Sequence, residues 1–266
     1  MKLAILKLDI AFGDRPIVQI GELNCEAGEI VGLVGESGSG KSMTATAVLG
    51  LAERLGATVN GSIKLDGEEL IGASERTLRS VRGRRVAMIF QSPGSAFNPV
   101  MRVGSVFDRT LRLHGVRSRA ASRKRAELAL EEVLLPAIAL NRYPHQLSGG
   151  QLQRVAIALA LALDAEVLLA DEPTSALDVT VQAEILTLLT KLRTRGLAIL
   201  LITHDLAVVS QVADRVAVMQ SGKLVEVGLT RTVLAHPQHL YTRTLLSAVP
   251  RMRSNIAQGG SSASSF

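Results

Sequence analysis

One stretch, Gly35-Glu36-Ser37-Gly38-Ser39-Gly40-Lys41-Ser42, constrains this chain more than any other part of it. It fits the phosphate-loop pattern G-x-x-x-x-G-K-[ST] at every fixed position. The apolar run Glu29-Ile30-Val31-Gly32-Leu33-Val34 before it reads as a buried strand. The sequence after it reads as a helix over 41–53. Strand, glycine loop and helix N-terminus together make an anion cradle. The glycines let successive backbone N–H groups turn inward, and the helix dipole adds partial positive charge. In such a cradle Lys41 reaches the β- and γ-phosphates, and the Ser42 hydroxyl holds Mg²⁺.

The rest of the chain supplies the frame for that loop. Segments 3–10, 62–66, 86–90, 166–170, 197–202, 214–219 and 223–227 are short, apolar and β-branched, and read as strands. Helical patterns fill 104–114, 118–135, 149–162, 180–195 and 239–248. Strands alternating with helices predict an α/β fold with a mostly parallel sheet, the phosphate loop lying at its carboxyl edge. Residues 95–160 carry helices without strands and read as a helical subdomain inserted in the core. The expected domain spans 1–253, and the Gly/Ser-rich tail 254–266 is expected to be disordered.

Composition narrows the function classes. No apolar run reaches the roughly 18 residues a membrane helix needs, and Met1-Lys2-Leu3-Ala4 opens no signal peptide. A peripheral chain on the cytoplasmic face of the cell membrane is expected. The one cysteine, Cys25, excludes an intrachain disulfide and a Cys-based metal site, and reads as a small core filler. The net charge of +6 suits an anionic ligand, a membrane surface or nucleic acid. With no Trp and two Tyr, stacking platforms for single-stranded nucleic acid are not expected.

A phosphate loop also needs an acid to orient metal and a group to position water. Val167-Leu168-Leu169-Ala170-Asp171-Glu172 offers both: a buried strand with two carboxylates at its end. Asp171 could hold Mg²⁺, directly or through water, and Glu172 could polarise the attacking water. Leu201-Ile202-Thr203-His204-Asp205 has the same form, and His204 could contact a γ-phosphate. Ile89-Phe90-Gln91 is a further strand end, where Gln91 could ligate Mg²⁺ or its water, or be a solvated amide. Ser148 and Gln151 fit a capping box at the head of helix 149–162. With Gly149 and Gly150 between them, that helix start is a second candidate anion site.

Taken in order, these residues resemble the nucleotide-binding subunits of ABC transporters over about residues 3–250. The resemblance rests on Phe12, the loop at 35–42, Gln91, Leu147-Ser148-Gly149-Gly150-Gln151, the strand ending in Asp171-Glu172, Ser175-Ala176-Leu177-Asp178 and His204. It implies a P-loop NTPase core of ABC type and a head-to-tail dimer that sandwiches two ATP molecules. Phe12 would stack on adenine. Ser42, Gln91 and Asp171 would organise Mg²⁺, Glu172 would be the general base and His204 the γ-phosphate sensor. Ser148 and Gly150 would close the partner's site, and Asp178 would communicate across the interface.

A narrower resemblance is to the dipeptide/oligopeptide/nickel importer branch. It rests on Gln91-Ser92-Pro93, Ala96-Phe97-Asn98-Pro99, Tyr143-Pro144-His145-Gln146 and His236-Pro237-Gln238-His239-Leu240-Tyr241-Thr242. The link Pro136-Ala137-Ile138-Ala139-Leu140 is shorter and more apolar than in such relatives. The branch implies two transmembrane permease subunits, docking near the loop after Gln91 and the helical insert. It also implies a second ATP-binding subunit, identical or paralogous, an extracytoplasmic solute-binding protein, and no nucleic-acid partner. Two rivals stand beside this reading. One is a soluble ABC ATPase acting on nucleic acid or ribosomes, which the basic balance favours. The other is a nucleotide-gated regulatory subunit, which the presence of Glu172 opposes.

Overall fold

The computed structural model describes residues 1–248 apart from Ala176, and the tail expected to be disordered lies outside the described residues. The chain begins with a hairpin, β1 (Leu3–Phe12) and β2 (Arg15–Cys25), followed by the buried strand β3 (Ile30–Val34) and helix α1 (Lys41–Val48). Next come β4 (Thr58–Leu65), β5 (Glu68–Glu69), α2 (Glu75–Val81) and β6 (Val86–Ile89). Four helices follow without a strand between them: α3 (Pro93–Ala96), α4 (Val103–Leu113), α5 (Arg119–Glu132) and α6 (Gly149–Ala162). The chain returns through β7 (Val167–Asp171), α7 (Val179–Thr194), β8 (Ala198–Thr203), α8 (Leu206–Val212), β9 (Arg215–Gln220) and β10 (Lys223–Leu229). It closes with α9 (Thr230–Ala235) and α10 (Leu240–Ala248).

The ten strands form one sheet in the order β5-β4-β1-β2-β10-β9-β3-β8-β7-β6. The half β9-β3-β8-β7-β6 is parallel throughout. The other half is built mainly from antiparallel pairs, β1 with β2 and β4, β4 with β5, and β10 with β9, with β2 and β10 joined in parallel at Gln19 and Lys223. The expectation of a mostly parallel sheet therefore holds only for the half that carries the phosphate loop. The missed strand β2 explains the difference. Its burial alternates, with Val18, Ile20, Leu23 and Cys25 inward and charged or polar residues between them. That is the pattern of a strand with one wet face.

In the parallel half both faces are covered, and side chains alternate between two cores. Ile30 and Val34 of β3 point into one core with Leu168, Ala170, Ile199 and Leu201, against α6, α7 and α8. Val31 and Leu33 point into the other with Leu169, Leu200 and Ile202, against α1 and the β1–β2 hairpin. Cys25 lies in this second core, and burial pushes its thiol up to about 12, as expected of a filler rather than a nucleophile.

Helix α1 stops five residues earlier than its pattern predicts. Gly50 takes φ 59°, Gly50 N–H donates to the Ala47 carbonyl at 2.8 Å, and Leu51 N–H donates to Thr46 at 3.0 Å. These paired bonds are a Schellman closure, which ends the helix whatever the apolar pattern beyond it. The short helices α2, α3, α8 and α9 escape a periodicity reading because one or two turns show no repeat. Their clearest trace is the caps: Ser74 accepts from Thr77 N–H, and Asp205 accepts from Ala207 N–H.

Candidate active site

The carboxyl ends of β3, β6 and β7 converge on one cleft of about 240 Å³, lined by Ser37, Gly38, Gly40, Lys41, Ser42, Gln91, Asp171 and Glu172, with Ile17 and Met43. Open α/β sheets bind ligands at this edge. The loop between β3 and α1 is held from below. Gly35 packs so closely on β9 that a β-carbon there would stand 2.1 Å from the Met219 carbonyl oxygen. No other residue fits that position without moving backbone.

Lys41 is buried, and its Nζ donates to the Gly35 carbonyl at 2.7 Å and the Glu36 carbonyl at 2.8 Å. Burial pulls its pKa below the usual lysine value, opposed by Glu172, Asp171 and Glu36. Asp171, at the end of β7, is pushed above the usual carboxylate value. Burial is the main cause and nearby Glu172 adds to it, while the Ser42 hydroxyl and Lys41 act the other way. Its Oδ1 is buried and has no hydrogen-bond partner among the described residues. A buried carboxylate with a free oxygen, in a cleft shared with the Ser42 hydroxyl and the Gln91 amide, is an oxygen donor set of the kind Mg²⁺ takes alongside phosphate oxygens and water.

Glu172 follows directly and adopts φ 49°, a left-handed conformation uncommon for a residue with a side chain. Its N–H donates to the Ile202 carbonyl of β8 at 2.8 Å, and its own carbonyl accepts from Ser175 N–H and Oγ. This turn brings the carboxylate to the end of β8. There Oε1 accepts from His204 N–H at 3.0 Å and lies 2.6 Å from His204 Nδ1. The exposed His204 ring thus stands at the rim of the cleft, joined to Glu172.

The other candidates lie elsewhere. Phe12, at the tip of the β1–β2 hairpin, packs against the second core and does not line the cleft. Ile17, five residues on, does line it. It went unread because β2 did. Ser148 caps α6, accepting from Gln151 N–H at 3.3 Å while Gln151 Oε1 accepts from Ser148 N–H at 3.0 Å, so the capping box is present. Asp178 caps α7 through Val181 N–H at 3.0 Å. These two helix starts touch: a β-carbon on Gly149 would stand 3.4 Å from Leu177, and one on Gly150 2.3 Å from Val181. Ser148, Gly149, Gly150, Gln151 and Asp178 therefore form a second cluster, outside the cleft of their own chain. Replacing Ser148 by Ala is expected to lower the melting temperature by about 2–4 °C, the worth of one cap in a domain this size. Nucleotide binding by the isolated chain should not change. A thermal melt beside a binding titration checks both.

A mixed sheet with a phosphate loop, two strand-end acids and helices on both faces defines a P-loop nucleotide-binding protein. Sequence comparison carries this further. Residues 18–175 match the family profile described as ABC transporter. The chain is 46% identical over 232 residues to the oligopeptide transport ATP-binding protein OppD of Lactococcus lactis subsp. cremoris, covering 86% of this chain and 69% of that one. It is 46% identical over 256 residues to the probable D,D-dipeptide transport ATP-binding protein DdpD of Escherichia coli, covering 93% and 78%. Among solved structures, cbiO1 of Clostridium perfringens, part of the ABC transporter complex cbiONQ, superposes with a TM-score of 0.76 at 27% identity, covering 88% of this chain and 90% of that one. A dimeric ATP-binding cassette in a post-hydrolysis state, bound to ADP and Pi, superposes with a TM-score of 0.73 at 30% identity, covering 86% and 99%. The chain belongs to the ABC transporter family.

Proposed function

We propose that this chain is the ATP-binding and ATP-hydrolysing subunit of a bacterial ABC importer whose cargo is a small peptide or a nickel-like solute. The cleft at the ends of β3, β6 and β7 carries the reading. It gathers a phosphate loop, a buried cation, a carboxylate with a free buried oxygen and a second carboxylate beside it. The peptide class is supported by the names of the relatives OppD and DdpD.

In this reading the loop N–H groups and Lys41 bind the β- and γ-phosphates of ATP. Ser42, Asp171 and Gln91 would hold Mg²⁺, which when bound offsets charge on the phosphate oxygens. Glu172 accepts a proton from the attacking water, and its bond to His204 fixes the carboxylate's direction. The cluster of Ser148, Gly149, Gly150, Gln151 and Asp178 does not line that cleft, which fits a role in closing the site of a second cassette. Among the described residues no helix is long and apolar enough to cross a membrane, so separate permease subunits would provide the pathway. They would dock near the loop after Gln91 and the helices α3 to α6, and an extracytoplasmic binding protein would deliver the solute.

A soluble ATPase acting on nucleic acid or ribosomes is not favoured. Of the basic run at 82–85, Arg82 is tied to Glu75 and the Leu49 carbonyl, and Arg85 to Asp66, Glu68 and Glu166. Those charges brace the fold. The test is to purify the tagged chain from detergent-solubilised membranes of its host and identify what accompanies it. Two multi-span membrane proteins are expected. Recovery of the chain alone, or with ribosomal or DNA-repair proteins, would refute the transporter reading.

A further inference from the structure

The C-terminal segment around Tyr241 reaches the phosphate loop directly. Tyr241 sits on α10, only 8% exposed, and belongs to the first of the two cores. Its phenol oxygen accepts the backbone N–H of Glu36, the second residue of the loop, at 3.0 Å. The carbonyl of the same residue accepts from Lys41 Nζ at 2.8 Å and from Ser39 N–H at 3.2 Å. Both backbone groups of Glu36 are therefore tied down, one by a residue 205 positions away.

The tyrosine is itself held in place. Glu226 on β10 accepts from the N–H groups of Gln238 at 2.8 Å and His239 at 3.1 Å. His239 Nδ1 then accepts from Tyr241 N–H at 3.2 Å, closing the start of α10. The neighbouring β9–β10 hairpin grips the loop at two more points. Met219 O lies against Gly35, and Gly222 N–H donates to the Ser39 carbonyl at 3.0 Å. The loop is thus bracketed at Gly35, Glu36 and Ser39 by elements that come after residue 214, and none of these contacts uses the inward face that lines the cleft.

We propose that Tyr241 is a positioning residue for nucleotide binding: through Glu36 N–H, the segment 236–242 straps the phosphate loop in its binding shape. The proposal rests on the reading of that loop as the nucleotide site. Its physical basis is preorganisation. A loop whose amides are already set loses little conformational freedom when phosphate arrives, whereas an untied loop must be ordered at that moment. Glu36 itself is exposed, so an N–H released by loss of the phenol can turn to water instead of staying unsatisfied. Loss of the strap therefore acts on loop order and affinity more than on the fold.

The discriminating variant is Tyr241→Phe, which keeps the buried ring and removes only the acceptor. Mg-ADP is titrated calorimetrically into the wild-type chain and the variant, and amide hydrogen exchange of the loop is followed without nucleotide. Tyr241→Phe is expected to raise the Mg-ADP dissociation constant about 5-fold, to raise KM for ATP to a similar degree and to leave kcat within about 2-fold. Exchange at residues 35–40 becomes faster, while the melting temperature moves by no more than about 2 °C. Tyr241→Leu, which also empties part of the core, should show the same affinity loss with a clear fall in melting temperature. If Tyr241→Phe matches the wild type in dissociation constant and loop exchange, Tyr241 is only a core aromatic and the proposal fails. If the wild-type chain does not bind Mg-ADP at all, the nucleotide reading itself fails and takes the proposal with it.

Discussion

Glu172→Gln is expected to lower steady-state ATP turnover by about 10²–10⁴-fold while ATP binding survives, the usual worth of a general base. Glutamine keeps the length of the side chain. Its amide oxygen can still accept the His204 N–H that Glu172 Oε1 accepts at 3.0 Å. The backbone turn should hold as well, because the bonds from Glu172 N–H to Ile202 and from Ser175 to the Glu172 carbonyl do not involve the side chain. What is lost is a negative oxygen able to take a proton, placed in the cleft beside Asp171 and Lys41. Because the base acts on water and not on the nucleotide, KM should change little. The variant should accumulate bound ATP in a filter-binding assay. Turnover within 3-fold of the wild type would remove Glu172 from the role and move attention to His204, its neighbour at 2.6 Å.

The parts of this site that the sequence discloses are the local ones. The phosphate loop, Asp171-Glu172 and Gln91 each sit at the end of a short apolar strand, and a strand followed by a polar residue is visible within a few positions. The parallel half of the sheet was legible for the same reason, since strands buried on both faces are continuous apolar runs. The antiparallel half was not. β2 interleaves charges with Val18, Ile20 and Leu23 and carries Gly21 within it, so its signal is a weak alternation. With β2 unread, Ile17 could not be placed in the cleft. Four contacts lay beyond any local pattern: Glu172 with His204, Gly150 with Val181, Gly35 with Met219 and Glu36 with Tyr241. Each joins residues at least 31 positions apart, and only the tertiary arrangement of strands and helices brings them together. Phe12 is a residue whose place comes from the resemblance and not from a local pattern. The half-buried aromatic stands where the resemblance implies a stacking residue, at the tip of the β1–β2 hairpin and packed on the second core.

Lys41→Ala is expected to weaken ATP binding by about 10²-fold or more. Hydrogen bonds to a charged partner contribute about 1.5–3 kcal/mol each, and two such bonds to phosphate oxygens amount to at least that factor. The ammonium is already desolvated, which lowers its pKa, and is held by the Gly35 and Glu36 carbonyls. An incoming phosphate therefore meets a cation that has already lost most of its water, in a cleft where the attraction is less screened. The same bonds give the substitution a second effect. Without Nζ the two carbonyls lose their donor and the loop loosens, so a fall in ATP affinity alone would not separate charge from shape. The choice of nucleotide separates them. Loosening the loop should weaken AMP and ATP alike, whereas loss of contacts to the β- and γ-phosphates should weaken ATP far more. Calorimetric titrations of both into the wild type and Lys41→Ala decide the matter. An ATP-specific loss assigns Lys41 to the terminal phosphates. An equal loss would leave it as a brace of the loop, and unchanged ATP binding would overturn the phosphate-cradle assignment.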